Sequence, residues 1–121
     1  MQYESRAEYL SESTPGVAFT VARMSLGRRI ELAKMLREIG LQGAFHAAGK
    51  GLEDQIEASI AHHEIDRIYL RWGLMEVKGL TIDGAPADPA AVVERGPESL
   101  VAEILNAIRE QTTLSKDERK N

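Results

Sequence analysis

The chain has 121 residues, 43% of them hydrophobic and 28% charged, a formal net charge of −4 and no cysteine. That length supports one buried core but not two, and the composition is that of a soluble globular protein. Lack of cysteine excludes disulfides, thiolate metal sites and cysteine nucleophiles, and net acidity argues against broad nucleic-acid binding, which needs clustered cations.

Residues 1–15 are rich in Glu and Ser, with Tyr3, Tyr9 and Leu10 as their only sizeable apolar groups. Such a segment buries little and is expected to stay mobile until something binds it. It has neither the basic start nor the apolar core of a secretory signal. Pro15-Gly16 then opens the folded part, and Val17, Phe19 and Val21 alternate with smaller residues as in a strand with one buried face.

Ser25 is placed to cap a helix over residues 26–39, with Gly40 as its stop. Leu26, Ile30, Ala33, Leu36 and Ile39 recur at spacings of three and four, which predicts one inward apolar stripe. Residues 42–51 read as a loop or a short frayed helix around Ala44–Ala48. Residues 53–72 form the longest helical candidate, with Ile56, Ile60, Ile68 and Trp72 on one side, helped by Ile65 and Tyr69, and Gly73 at its end.

Residues 74–82 read as extended and turn at Asp83-Gly84, a dipeptide that readily takes positive φ. Pairing of this segment with Val17–Val21 is the expected use of it. Asp88-Pro89 is an N-cap and first-turn pair for a short helix through Val93. Gly96-Pro97 restarts the chain into a helix over 98–111, whose apolar face is Leu100, Val101, Ile104, Leu105 and Ile108. Ser115 and Glu118 have capping-box spacing, and residues 114–121 are expected to form an exposed tail.

Few constellations carry chemistry. His62 and Asp66, four apart with His63 between them, share a helix face and could hold two ligands, but no third strong ligand lies on that face and the HExxH motif is absent, so no metal ligand is assigned. No GxSxG elbow, phosphate loop or dinucleotide fingerprint occurs. Carboxylate pairs such as Glu53/Glu57 have ordinary helix-surface spacing. No cofactor is expected and the chain does not read as an enzyme. The basic residues Arg23, Arg28, Arg29, Lys34 and Arg37 are interleaved with Glu31 and Glu38, which reads as a solvated face, with an anionic partner surface as the other possibility.

The block YLRWGL…VKGLTIDGAP around the single tryptophan concentrates large apolar groups beside a turn and displays no nucleophile. Trp72 reads either as a lid on the core or as an anchor in a partner groove. Arg71 beside it reads as a directional polar contact or as a surface salt bridge to Asp66 or Glu76.

YLRWGL…VKGLTIDGAPA, followed by VVERGPESLVAEILNAI and a close in LSKDERKN, resembles small proteins encoded among phage and prophage tail genes and regarded as tail assembly chaperones. The resemblance runs from about Gly16 to Asn121, and its most characteristic parts are Arg71–Leu74, Gly79–Ala87 and Leu114–Asn121. It implies a non-catalytic module of the bacterial host cytoplasm that binds the tape-measure protein and keeps it soluble until tail-tube subunits assemble around it. It also implies a longer form made by frameshifting near Asn121.

The expected fold is mainly α: a single small bundle of about four helices over 16–113, with a minor two-stranded β element around Phe19 and Val77. The expected protein-binding residues are Arg71, Trp72, Leu74 and Leu80. The expected partners are the tape-measure protein and tail-tube subunits, with self-association open, no membrane, and nucleic acid not favoured. The alternative role is a structural tail or head-tail connector component, and a third is a small nucleic-acid-binding regulator working through Arg23–Arg37.

Overall fold

A computed structural model describes residues 1–120, with side chains through Thr113. The described residues are mainly α, with four helices and two small sheets. In order they are β1 (Arg6–Leu10), β2 (Ala18–Ala22), α1 (Leu26–Ala47), α2 (Leu52–Gly73), β3 (Leu74–Lys78), β4 (Thr81–Ile82), β5 (Ala85–Pro86), α3 (Pro89–Arg95) and α4 (Glu98–Lys120). They divide into two compact units, one of Met1–Ser25 with Leu70–Asn121 and one of Leu26–Tyr69.

The first unit is built on a three-stranded antiparallel sheet in the order β1-β2-β3. Phe19 pairs with Val77, as expected of the segment that follows Trp72. The sheet is larger than the two-stranded element foreseen, because residues 1–15, expected to stay mobile, contribute β1. There Ala7 and Tyr9 alternate with Arg6, Glu8 and Leu10, and Tyr9 falls opposite Phe19 in the register. Their rings stack with centroids 5.4 Å apart and planes 9° from parallel. A cross-strand aromatic pair of this kind contributes up to ~1 kcal/mol beyond its area.

Helix α4 lies on β2 and α3 on β3. Leu100, Ile104, Ala107 and Ile108 of α4 are buried, and they recur at the three- and four-residue spacings of one helix face. Gln111 Nε2 donates to the Tyr9 hydroxyl at 2.7 Å, tying α4 to the first strand. Where α2 ends, a Cβ on Gly73 would lie 2.9 Å from the Ile108 side chain, so this close approach needs a glycine.

Local signals act as their chemistry dictates. Asp83 (φ 52) and Gly84 (φ 84) form the tight turn between β4 and β5, with the positive φ pair that a right-twisted hairpin requires. Asp88 caps α3 by accepting from the Ala91 N–H at 2.8 Å, with Pro89 in the first turn.

The second unit is two helical segments joined by a short turn. Here α1 runs through Gly40 and Gly43 to Ala47, where the sequence predicts a stop at Gly40 and then a loop, or a short frayed helix around Ala44–Ala48, over 42–51. A glycine inside a helix costs only ~1 kcal/mol. Gly43 also has a packing use, since a Cβ there would sit 3.2 Å from that of Ala61 on α2. At the turn, His46 Nδ1 and Asp54 Oδ1 lie 3.0 Å apart and close the hairpin. Leu32 and Ala61 are the buried hydrophobic residues of this unit.

The helix foreseen at Ser115 is the continuation of α4. The side-chain exposure expected of residues 114–121, the Ser115/Glu118 capping box and the chain end at Asn121 all lie outside the described residues.

Candidate protein-binding surface

Helix α1 is apolar on two sides. Leu32, Leu36 and Ile39 fall within one arc at about 100° per residue and are buried or half-buried. Leu26, Ile30, Leu41 and Phe45 fall within another arc of about 100° and are exposed, Leu41 by 69% and Phe45 by 75%. Ala33 and Ala44 lie in the same exposed arc. Helix α2 repeats the pattern more briefly, with Leu52, Ile56 and Ile60 in one exposed arc and Ala58, Ala61 and Ile65 on the other side.

This corrects the single-stripe reading of α1. The spacing groups Leu26, Ile30 and Ala33 with Leu36 and Ile39, yet the first three are exposed. The residue periodicity held the signal, but ending the helix at Gly40 removed Leu41 and Phe45, and with them the second stripe. On α2, Ile56 and Ile60, expected on one side with Ile68 and Trp72, are exposed, whereas Trp72 is 4% exposed within the first unit. Seven large hydrophobic side chains of one small unit thus stand in water along two helix faces. Scattered exposed leucines need no explanation, but periodic stripes of them mark an interaction surface.

The four residues expected to bind protein all lie in the first unit, and the structure does not gather them into an exposed anchor. Trp72 and Leu74, 4% and 5% exposed, belong to the core. Arg71 is exposed but pairs with Glu94 of α3, in place of the Asp66 or Glu76 foreseen. Leu80 is half-buried between β3 and β4, and its carbonyl accepts the Ala87 N–H at 2.9 Å.

The other candidate clusters are less assembled. His62 Nε2 stands 4.0 Å from Asp66 Oδ2, and among the described residues no three His, Asp or Glu side chains converge on one point. Of the basic residues, Arg23 donates to the Glu4 carbonyl at 3.2 Å, while Arg28, Arg29, Lys34 and Arg37 lie on α1.

Glu103 on α4 clasps the loop between β1 and β2. Its carboxylate accepts from Ser11 Oγ at 2.5 Å, the Glu12 N–H at 2.7 Å and Ser13 Oγ at 2.9 Å. Burial pushes this carboxyl up, but the hydrogen bonds from Ser11, Glu12 and Ser13 outweigh it and hold the pKa below the ordinary glutamate value. The clasp orders a loop and presents no reacting group.

Among the described residues no helix is long and apolar enough to cross a membrane. Comparison with family models, curated proteins and solved structures finds no match for this chain.

Proposed function

We propose that this chain is a non-catalytic tail assembly chaperone of a phage or prophage, binding the tape-measure protein in the cytoplasm of the bacterial host. The observation that carries the reading is the pair of unpartnered apolar stripes, Leu26, Ile30, Leu41 and Phe45 on α1 and Leu52, Ile56 and Ile60 on α2. A long, helical client exposes amphipathic stripes of its own before it is assembled. Helix-to-helix docking covers both, with anchors along one face of each helix giving the register. The sequence resemblance of YLRWGL…TIDGAP and LSKDERKN to tail assembly chaperones points to the tape-measure protein as that client. Tail-tube subunits would displace the chaperone as they polymerise.

Co-expression with the tape-measure gene tests this. The client is expected in the soluble fraction and in complex with the wild-type chain, and insoluble with a variant carrying Ile30→Glu and Ile56→Glu. Equal solubility without the chain would refute the proposal. Mass spectrometry of finished particles should find no stoichiometric copy; finding one assigns the chain to the structural components of the tail or connector instead.

A further inference from the structure

The two exposed stripes differ in their charged surroundings. Helix α1 carries Arg28, Arg29, Lys34 and Arg37 against Glu31 and Glu38, a net charge of +2. Helix α2 carries Glu53, Asp54, Glu57, Glu64 and Asp66 against Arg67 and Arg71, a net charge of −3. The placement matters more than the totals. At about 100° per residue, Lys34 and Arg37 fall inside the arc of the α1 stripe. By the same count Glu53, Glu57 and Glu64 run along one border of the α2 stripe. Lys34, Arg37, Glu53 and Glu57 are all exposed.

We infer that a second copy of this chain is an occupant of these stripes, with α1 of one copy seated on α2 of the other. Apolar residues meet apolar residues, and Lys34 and Arg37 meet Glu53, Glu57 and Glu64. The alternatives are disfavoured by the same charges. Pairing α1 with α1 sets Lys34 and Arg37 against themselves, and pairing α2 with α2 aligns the three glutamates. Like charges placed together across a helix seam select against a pairing, as flanking charges do in coiled coils. Each copy carries both halves of the contact, so the pairing closes as a reciprocal dimer or grows by further copies. Self-association of this kind covers the stripes when no client is present. The inference rests on the stripes and their charges alone, not on the identity of the client.

Sedimentation velocity over a concentration series tests it, using the full chain. Wild type is expected to associate reversibly. Lys34→Glu with Arg37→Glu in one chain, and Glu53→Lys with Glu57→Lys in another, should each raise the dissociation constant at least tenfold. An equimolar mixture of the two should associate again, because the reversed α1 of one matches the reversed α2 of the other. A second measurement needs no substitution. Carbodiimide coupling in a mixture of isotope-labelled and unlabelled wild-type chains should yield mixed-isotope peptides joining Lys34 to Glu53, Glu57 or Glu64. A wild-type chain that stays monomeric at every concentration overturns the inference. Association indifferent to both reversals, or a mixture that remains monomeric, does the same. None of these results bears on solubilisation of the tape-measure protein, which is read separately with the apolar substitutions.

Discussion

Replacing Leu41 and Phe45 by Gln separates a binding surface from a core. Both side chains lie on the exposed arc of α1, Leu41 69% and Phe45 75% exposed, and Gln keeps a good helix propensity. Folding stability should therefore change by no more than ~0.5 kcal/mol. Fully burying a Leu or Phe is worth ~1.5–3 kcal/mol, so the part still available to a partner is about 1–2 kcal/mol for each. Together they supply ~2–4 kcal/mol, and because ordering at an interface consumes some of that gain the lower figure is the safer. At ~1.4 kcal/mol per factor of ten, ~2 kcal/mol is a loss of about thirtyfold in affinity for the client. Urea denaturation reads the first quantity, and calorimetric titration with a soluble helical fragment of the tape-measure protein reads the second. Trp72→Ala is the matched control, expected to cost ~3–5 kcal/mol of stability as a buried aromatic. If the double Gln chain binds within twofold of wild type, the α1 stripe is not the contact. If it unfolds instead, that arc is already in use within the fold.

Three further outcomes follow from the first unit. Gly73→Ala should lower stability by ~1–3 kcal/mol in urea denaturation, since the new methyl meets buried Ile108. Asp88→Ala removes the cap that accepts the Ala91 N–H and should cost ~0.5–2 kcal/mol, read in the same assay. Glu103→Gln should flatten the acid side of the stability profile. Its carboxyl titrates below the ordinary value of 4.5 in the folded chain, so its stabilisation is complete above that pH and is lost as pH falls through the folded value. Thermal melts of both chains should differ at neutral pH and converge in acid; parallel curves throughout would show that the clasp contributes nothing.

What could be read without the structure divides by range. The cap at Asp88, the first-turn Pro89 and the Asp83-Gly84 turn are decided by chemistry within a few residues, and each is found where expected. The pairing of Phe19 with Val77 was reachable because both segments alternate and the fold needs them paired. β1 was missed for the opposite reason. Tyr9 gains its place from Phe19 and from Gln111, which is 102 positions away in sequence, and a polar Glu/Ser segment gives no local hint of either. Gly40 misled because glycine is both a helix stop and a tolerable interior residue, and tertiary packing decides between them. The same ambiguity hid the candidate surface. A sequence that reads as one stripe per helix holds two on α1, and only the full helix length reveals which is left over.

The two units put their hydrophobic residues to different uses, and that difference is the strongest physical reason for treating this chain as a binder. In the first, Phe19, Val21, Trp72, Leu100, Ile104 and Ile108 are all buried, and the charged groups Arg71 and Glu94 pair at the surface. In the second, the hairpin keeps Leu32 and Ala61 inside, while stripes on both helices face water. Exposed apolar stripes lower solubility and contribute nothing to the folded monomer, so stability does not account for them. Their interleaving with Lys34, Arg37, Glu53 and Glu57 does have a physical reading: the charges keep an uncovered stripe soluble and set which helix may cover it. An apolar face flanked by exposed charges is suited to reversible contact, because the charges can be rehydrated each time the partner leaves. A fully apolar groove would release its partner more slowly.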